Sequence, residues 1–227
     1  MCGRYTLISP SEALMALFDV SEDQDWDEPR YNIAPQTKIM TLRRRGATRV
    51  AQPLLWGAIN PRDSKPLINA RSETVATSPL FARAFLMSRI LIPADGFFEW
   101  TNDRGQRKAH YFQPPDGRPF AFAGLAINTP ANANEDREEA AVILTTAASP
   151  PVRPYHHRMP LVIAPGDFAQ WLDRDTKPKA AIDLIASGAG SDWKSVPVGP
   201  AVNNVRNDRP DCIAPATHLP NPQGSLF

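Results

Sequence analysis

The stretch RILIPADGFFEW occupies residues 89–100 and joins an apolar run to an acidic residue between two aromatic side chains. Its first half, residues 89–94, predicts a buried β-strand, because a short apolar run bounded by turn residues is typical of a core strand. In its second half, Phe98 and Trp100 flank Glu99. Removal from water raises the pKa of a carboxyl group and fits it for proton transfer near neutral pH. Glu99 is therefore a candidate catalytic residue.

Strands on both sides of this stretch predict a sheet-rich core. Alternating polar and apolar residues around the turns at 45–46 and 115–117 indicate two β-hairpins. The predicted strands cover residues 38–44, 48–56, 108–113, 119–128 and 140–146. Three consecutive arginines, Arg43 to Arg45, lie at the tip of the first hairpin, where they indicate either a solvated turn or a phosphate contact.

Helices are expected to be few and short, since the chain has 24 Pro against 12 Gly. The sequence SPSE at residues 9–12 predicts a capping box at the start of the first helix. The predicted helices cover residues 10–20, 78–87, 166–172 and 178–186. We therefore expect an α+β fold, a single domain of mostly antiparallel sheets with a few flanking helices. This domain should cover residues 1–210 and be followed by a loosely ordered, proline-rich tail at residues 211–227.

Composition excludes several classes of protein. With 227 residues and 42% hydrophobic content, the chain can bury the core of one large domain. Two cysteines, Cys2 and Cys212, do not make a disulfide framework, and four scattered histidines without a Cys-x-x-Cys pair argue against a metal site. No signal peptide or membrane-spanning run is visible, so a cytoplasmic protein without a cofactor is expected. The formal net charge of +1 leaves a nucleic-acid partner open, because binding depends on a local basic face.

The N-terminal sequence MCGRY, residues 1–5, carries the most reactive chemistry in the chain. Removal of Met1 would leave Cys2 with a free α-amine beside its thiol, and both groups are partly reactive near neutral pH. An amine condenses with an aldehyde to an imine, and the neighbouring thiol can close on the imine carbon to form a five-membered thiazolidine. Gly3 allows a ligand to approach the backbone, and Arg4 offers a guanidinium fork to phosphate or carboxylate. The segment is thus interpreted as an aldehyde trap or N-terminal nucleophile, the alternative being that Cys2 is a small hydrophobe starting a strand.

Two further segments combine polar residues with strand or turn signals. In INARSET, residues 68–74, an extended chain would point Asn69, Arg71 and Glu73 to one side as a site wall; a capped turn before the next helix is the competing interpretation. In YHHRMP, residues 155–160, adjacent histidines on an extended chain point in opposite directions. At most one of them then faces a site, and the pair does not clamp a metal. A structural role is the alternative.

Several short segments together resemble the SOS response-associated peptidase (SRAP) family. They are MCGRY at 1–5, RYNIAP at 30–35, WG at 56–57, INARSET at 68–74, GFFEW at 96–100, HHRMP at 156–160 and VNNVRN at 202–207. Each is weak alone, but their shared order over nearly the whole chain is specific. The resemblance implies a barrel-like core and covalent capture of abasic sites in single-stranded DNA. In that reaction Cys2 joins the ring-opened deoxyribose aldehyde as a thiazolidine and protects the damaged strand.

The resemblance also implies roles for individual residues. Asn69 would hold the sugar or the new linkage, Glu99 would move protons at the amine, and His156 would open the sugar ring and later reverse the bond. The residues implied to contact DNA are Arg4, Arg71, Gly3, Pro35 and Trp56. The two arginines among them would grip phosphates on either side of the lesion. Self-removal of Met1, a peptidase-type activity, lyase-like reversal and a monomer associated with the nucleoid are implied as well.

One segment departs from the family pattern, and two other functions compete. Family members carry Trp residues in the loop before the Asn-Ala-Arg motif, whereas residues 59–65 here contain none, so Arg62 or Lys65 would have to substitute a charged contact. An N-terminal nucleophile amidohydrolase of the glutamine-amidotransferase type would also use Cys2. A non-catalytic binder of single-stranded DNA would use the arginines and leave Cys2 without a role.

Overall fold

The computed structural model describes residues 2–20, 28–60, 63–103, 106–128, 139–187 and 192–216, and these contain fifteen strands and four α-helices. The strands are β1 (Tyr5–Leu7), β2 (Arg30–Ile33), β3 (Lys38–Arg45), β4 (Thr48–Trp56), β5 (Ala58–Ile59), β6 (Pro66–Leu67), β7 (Asn69–Arg71), β8 (Arg89–Ala94), β9 (Gly96–Asp103), β10 (Gln106–Gln113), β11 (Phe120–Asn128), β12 (Glu139–Ala147), β13 (Arg158–Pro160), β14 (Val162–Ile163) and β15 (Lys194–Val198). The helices are α1 (Ser11–Phe18), α2 (Ala82–Met87), α3 (Phe168–Leu172) and α4 (Pro178–Ser187). No helix within the described ranges is long and apolar enough to span a membrane.

The larger sheet contains a closed ring of five strands. Its path runs β12-β4-β3-β8-β11, and β11 pairs again with β12. The pairing of β12 with β4 is parallel, with Ala140 opposite Leu55, whereas β11 and β12 are antiparallel, with Gly124 opposite Ile143. Only β12 makes parallel pairings among the named strands, to β4 and to β7. The expected α+β fold of mostly antiparallel sheets is confirmed, and the ring of strands corresponds to its barrel-like core.

The smaller sheet has the strand order β15-β10-β9-β1-β2 and carries the N-terminal strand next to its edge. Residues 89–100 connect the two sheets, since β8 belongs to the ring and β9 to the smaller sheet. The Asp95 carboxylate holds the corner between them, because it accepts hydrogen bonds from the backbone N–H groups of Ile8 at 2.6 Å and Ser9 at 3.0 Å. The segment that follows β1 is therefore attached to the join of the two sheets.

The strand β8 has the buried character that its apolar run predicts. Ile90, Leu91 and Ile92 are at most 1% exposed, and burying a side chain of this size contributes about 1.5–3 kcal/mol. β11 approaches β8 closely at Gly124, where an added Cβ would lie 2.7 Å from Ile92 and 2.9 Å from Ile90. A larger residue at this position would have to displace both isoleucines from the core.

One of the two predicted hairpins is present. β3 and β4 pair in antiparallel fashion around Gly46, whose φ of 63° suits a glycine in the turn. The second predicted hairpin is wrong, because β10 pairs with β9 and β15 while β11 pairs with β8, β12 and β14. The aromatic rings of Phe97 in β9 and Phe112 in β10 stack at 5.2 Å. Such a cross-strand contact between aromatic side chains is not encoded by the turn residues at 115–117.

Three helices begin or end at least two residues away from the predicted positions. α3 begins only at Phe168, because Pro165–Asp167 form a turn of 3-10 helix. α1 ends at Phe18, because Asp19 takes a left-handed conformation with φ 51°. No side-chain hydrogen bond caps the start of α1, since the Ser9 hydroxyl donates to Asp95 instead. α2 begins only at Ala82, and most of residues 72–81 form turns.

Packing continues past residue 210. Cys212 is fully buried, and Pro215 forms an isolated bridge with Val198. Asp208 attaches this part of the chain to β2, because its carboxylate accepts the N–H of Asn32 at 2.9 Å and Nε of Arg30 at 2.6 Å. The folded unit thus includes residues as far as 216, and residues 217–227 of the predicted tail lie outside the described ranges.

Candidate active site

The residues before β1 are held by strands from both sheets. The backbone N–H of Phe98 in β9 donates to the carbonyl oxygen of Arg4 over 3.0 Å. On the other side, Nδ2 of Asn69 in β7 donates to the carbonyl oxygen of Cys2 over 2.8 Å. These hydrogen bonds place the N-terminal segment beside a cavity of about 460 Å³. The cavity is lined by Gly3, Arg4, Glu99, Trp100, Thr101, Asn102, Arg107 and His156.

The thiol of Cys2 is buried and protonated. Cys2 has no exposed surface, and its Sγ lies 3.9 Å from the carbonyl oxygen of Arg4. Burial raises the pKa of the Cys2 thiol, and the nearby Glu99 carboxylate raises it further. Because the thiolate is the nucleophilic form, a base must accept the proton of Cys2 when its sulfur reacts.

Glu99 lies in β9 and is only 3% exposed. Burial is the largest influence on its carboxyl group and raises the pKa of Glu99, while His157 and Arg107 act in the opposite direction. The pKa shift that the flanking aromatic residues predict is therefore confirmed in direction. Glu99 stands opposite His110 of β10 in the strand register, so the two side chains lie on the same face of the sheet.

A layer of rings packs on this face and reaches the histidine segment. The rings of His110 and Tyr155 lie 4.4 Å apart, and Tyr155 also contacts Phe112 at 5.1 Å. Burial lowers the pKa of His110 and so favours the neutral form of its imidazole. Tyr155 immediately precedes His156, and its packing fixes where the chain enters the site.

His156 is held by the backbone of Arg158. Its Nδ1 lies 2.9 Å from the Arg158 N–H and 3.0 Å from the Arg158 carbonyl oxygen. The neutral ring can accept from the N–H, and the protonated ring can donate to the carbonyl, so both protonation states have a partner. Burial lowers the pKa of His156. The ring stacks on His157 at 4.4 Å; the predicted opposite orientation is wrong, because residue 157 lies in a bend and not in an extended strand.

Arg4, Trp100 and Arg107 form a basic and aromatic wall of the cavity. The Arg107 guanidinium lies 4.6 Å from the Trp100 ring centroid, and that of Arg4 lies 5.9 Å from it. The indole Nε1 of Trp100 donates to Oδ1 of Asn203 over 2.8 Å. Two guanidinium groups next to an aromatic face are the combination with which proteins contact the phosphates and bases of single strands.

The guanidinium group of Arg158, which directly follows the two histidines, is held by an ion pair. Arg158 makes a bidentate ion pair with Glu73, with Nη1–Oε1 at 2.5 Å and Nη2–Oε2 at 2.9 Å. This pairing lowers the pKa of Glu73. β7 ends at Arg71, so Glu73 lies in a turn and not on the same extended face as Asn69. The predicted wall of three alternating polar residues is therefore limited to Asn69 and Arg71.

Comparison with known proteins identifies the family. The sequence matches the family described as SOS response associated peptidase (SRAP) over residues 1–205. The chain belongs to the SRAP family. It is similar to the abasic site processing protein YedK of Escherichia coli K12, with 35% identity over 95% of this chain and 100% of that protein. It is also similar to the abasic site processing protein HMCES of Xenopus tropicalis, with 30% identity over 85% of this chain and 68% of that protein.

Solved structures resemble this SRAP chain over most of its length. A protein from Bacteroides thetaiotaomicron has a TM-score of 0.79 at 17% identity and covers 95% of this chain and 100% of its own. A phage-related protein from Bordetella bronchiseptica has a TM-score of 0.72 at 27% identity and covers 87% of this chain and 94% of its own. The first of these likenesses establishes the fold alone.

The structure of this SRAP protein brings together four residues that the sequence analysis selected for chemistry. Asn69 contacts Cys2, and Glu99 and His156 line the adjoining cavity. In the described part of the chain, no group of three histidine, cysteine or acidic side chains lies close enough together to hold a metal ion.

Only some of the residues that were predicted to contact DNA line the cavity of this SRAP protein. Gly3 and Arg4 line the cavity, whereas Arg71 is exposed at the end of β7 and Pro35 lies half-buried in the turn after β2. Trp56 was predicted to contact DNA, but it is fully buried. Its Nε1 donates to the Ile68 carbonyl over 3.0 Å, so its ring supports the strand that carries Asn69 and does not face the cavity.

In the loop that lacks Trp, residues 61–62, and with them Arg62, lie outside the described ranges. Lys65 is exposed, and its Nζ lies 3.9 Å from Asp63.

Sequence reasoning missed several residues around this SRAP site. They are Asn32, Arg107, His110, Tyr155 and Arg158. A usable signal existed for His110, because pairing the strands on either side of residues 104–105 places it opposite Glu99. Asn32, Tyr155 and Arg158 lie within the motifs quoted above, but their contacts and those of Arg107 join distant segments, so no local pattern shows what these four residues do.

Proposed function

We propose that this SRAP protein processes abasic sites by capturing them covalently in single-stranded DNA through a thiazolidine on Cys2. The position of Cys2 carries this proposal: Asn69 holds its carbonyl, and its segment borders a cavity lined by Glu99 and His156. The similar proteins from Escherichia coli and Xenopus tropicalis are named abasic site processing proteins, which points to the same substrate.

The reaction begins at the α-amine. Self-removal of Met1 releases the α-amine of Cys2, whose neutral form attacks the C1′ aldehyde of the open-chain deoxyribose. The resulting carbinolamine loses water and becomes an imine. Glu99 accepts the proton released by the amine and returns a proton to the departing hydroxyl. Its raised pKa suits it to both transfers near neutral pH.

The thiol of Cys2 then closes the ring. Its sulfur forms a bond to the imine carbon, and the S–H proton passes by way of Glu99 to the imine nitrogen. Aldehyde and aminothiol together therefore give one thiazolidine and one molecule of water. Because burial keeps the thiol protonated, proton transfer accompanies the attack of sulfur. Thiolate formation as a separate first step is disfavoured.

His156 acts on the sugar. Ring opening of the cyclic hemiacetal requires a base at the anomeric hydroxyl and an acid at the ring oxygen. Burial lowers the pKa of His156, which favours the neutral ring; this ring accepts the proton of the anomeric hydroxyl and returns it to the ring oxygen as the ring C–O bond breaks. Its backbone partner at Arg158 accommodates either protonation state, so the same ring can protonate the linkage when the crosslink is reversed.

The cavity wall holds the strand on either side of the lesion. Arg4 and Arg107 provide guanidinium groups for phosphates, and Trp100 offers a ring on which a neighbouring base stacks. Arg71, exposed at the end of β7, provides a further phosphate contact.

Denaturing electrophoresis after incubation with an abasic single-stranded oligonucleotide tests the proposal. A shifted band that resists denaturation is expected, and both Cys2→Ala and an uncleaved N-terminal tag should abolish it. Normal crosslinking by the tagged protein would contradict the thiazolidine, because a blocked amine cannot close that ring. Ammonia release from glutamine would favour the amidohydrolase, and binding without a covalent band would favour a simple strand binder.

A further inference from the structure

Asn32 lies in β2, is 2% exposed and uses both ends of its side-chain amide. Its Oδ1 accepts a hydrogen bond from Nη1 of Arg4 over 2.7 Å. Its Nδ2 donates to carbonyl oxygens of the C-terminal segment, those of Asn207 at 2.7 Å, Asn204 at 3.1 Å and Val202 at 3.3 Å. One buried side chain therefore joins β2, the N-terminal segment and the C-terminal segment beside the cavity.

These contacts use up one nitrogen of the Arg4 guanidinium. One N–H of Nη1 donates to Asn32, and the other donates to the carbonyl oxygen of Val202 over 2.8 Å. A guanidinium grips a phosphate best through two parallel N–H···O bonds from one edge. With Nη1 occupied, the edge formed by Nε and Nη2 is the one left to Arg4 for such a grip, and Arg4 lines the cavity.

The chemistry of the partner matters as much as its position. An acidic side chain in place of Asn32 would also hold Arg4, but it would cancel the positive charge that attracts a phosphate. The neutral carbonyl oxygens of Asn32 and Val202 orient the guanidinium and leave its charge intact. The two contacts thus orient the Arg4 guanidinium without neutralising its positive charge.

We propose that Asn32 is a positioning residue for DNA binding, which fixes the Arg4 guanidinium so that its Nε–Nη2 edge meets a backbone phosphate, an inference that rests on the proposed function of Arg4. Without Asn32, the guanidinium loses one of its two fixed contacts and samples other orientations. Fixing the Arg4 guanidinium again on binding costs conformational entropy, and this cost lowers the affinity for the DNA strand.

A double-mutant cycle on an intact single-stranded oligonucleotide, which excludes the covalent step, tests this. The Kd is measured for the wild type, Arg4→Ala, Asn32→Ala and the double variant. Asn32→Ala should weaken binding by about 2- to 160-fold, the range for residues in direct contact, and should have no further effect once Arg4 is absent. If Asn32→Ala changes the Kd equally with and without Arg4, Asn32 does not act through Arg4 and the positioning role alone is wrong. If Arg4→Ala does not change the Kd, the proposed contact of Arg4 with phosphate is wrong as well.

Asp208→Asn is the matched control. It weakens the attachment of the same C-terminal segment to Arg30 and to the backbone of β2, but it leaves the contact between Asn32 and Arg4 in place. The variant should melt at a lower temperature while its Kd for the oligonucleotide stays within about twofold of the wild type. A loss of affinity equal to that of Asn32→Ala would show that segment docking controls binding, and would overturn the proposal.

A measurement on the unchanged protein covers the case in which Asn32→Ala does not fold. Nitrogen-15 NMR of the free protein should resolve separate Nη1 and Nη2 signals for Arg4, because hydrogen bonds from Nη1 to Asn32 and Val202 restrict rotation of the guanidinium. A freely rotating Arg4 guanidinium in the free protein would overturn the positioning role.

Discussion

The side-chain amide of Asn69 donates a hydrogen bond to the carbonyl oxygen of Cys2 over 2.8 Å and so joins β7 of the larger sheet to the N-terminal segment. β7 is itself fixed on both sides. Asn69 stands opposite Ile143 of β12, and the indole of Trp56 donates to the Ile68 carbonyl. The placement of Cys2 thus depends on a hydrogen-bond donor that core strands hold in position.

Asn69→Asp should slow crosslinking without unfolding the protein. The carboxylate has nearly the same shape as the amide but cannot donate to the Cys2 carbonyl, so the N-terminal segment loses its contact with β7. A displacement of about 1 Å at a reacting group can lower a rate about 10²-fold, and a loss of that order in the single-turnover rate is expected. A wild-type rate in this variant, with the melting temperature as a folding control, would contradict the role assigned to the contact.

His156→Ala should slow the capture of ordinary abasic sites by about 10²-fold or less, because some abasic sugar is already open and general acid–base groups contribute about 10²–10⁴. An oligonucleotide with a pre-opened aldehyde should restore much of the lost rate in His156→Ala but not in Glu99→Gln. Single-turnover rates of both variants on both substrates decide between the two roles. If His156→Ala is equally slow on the open aldehyde, the residue does not act in ring opening.

Glu99 should make stability depend on pH in a defined direction. Because burial raises its pKa in the folded protein, its neutral form supports the fold fully only below the unfolded pKa of about 4.3, and this support is lost as pH rises through the folded pKa. Glu99→Gln stays neutral, so its melting temperature should rise increasingly above that of the wild type as the pH rises from about 4 towards the raised pKa of the folded protein. About 1 kcal/mol corresponds to about 2–4 °C in a domain of this size. A melting difference that is constant over this range would contradict the assignment.

Arg71→Ala should reduce binding to intact single-stranded DNA through electrostatics. Loss of one phosphate contact lowers the slope of log affinity against log salt by about 0.7 for a single strand. Arg118→Ala is a suitable control, since Arg118 is equally charged but lies beside Asp116 in the turn between β10 and β11. An unchanged salt slope in Arg71→Ala would place Arg71 off the DNA path.

Arg89→Lys should destabilise the fold. The buried Arg89 guanidinium donates to the carbonyl oxygens of Phe85 and Trp171, both at 2.6 Å, and to that of Asp173, and so joins the ends of α2 and α3. Lysine cannot reach all three, and the free energy of unfolding should fall by about 2–4 kcal/mol. Urea unfolding measures this, with the exposed Arg118→Lys expected within about 0.5 kcal/mol of the wild type. A loss below 1 kcal/mol would show that the joint is dispensable.

Local sequence patterns determined the elements that depend on immediate neighbours. The apolar run of β8 and the alternating β3 and β4 indicated their strands correctly, because burial of one face is encoded by residue order within each strand. The rise in the pKa of Glu99 was predicted in direction, although its cause is burial in the folded protein and not the two residues next to it in sequence. The motifs that resemble the SRAP family were also legible in the sequence, since they are short and contiguous.

Only the tertiary structure decided how these pieces meet. Residue periodicity shows which face of a strand is apolar but not which strand it pairs with, so the place of β10 beside β9 and the closure of the ring by β12 could not be deduced. Arg4 is oriented by Asn32 and Val202, which lie 28 and 198 residues away along the chain. Hydrogen bonds over such separations form only when the whole core has brought the segments together. For that physical reason the sequence indicated the reactive groups, and the packed sheets determined their geometry.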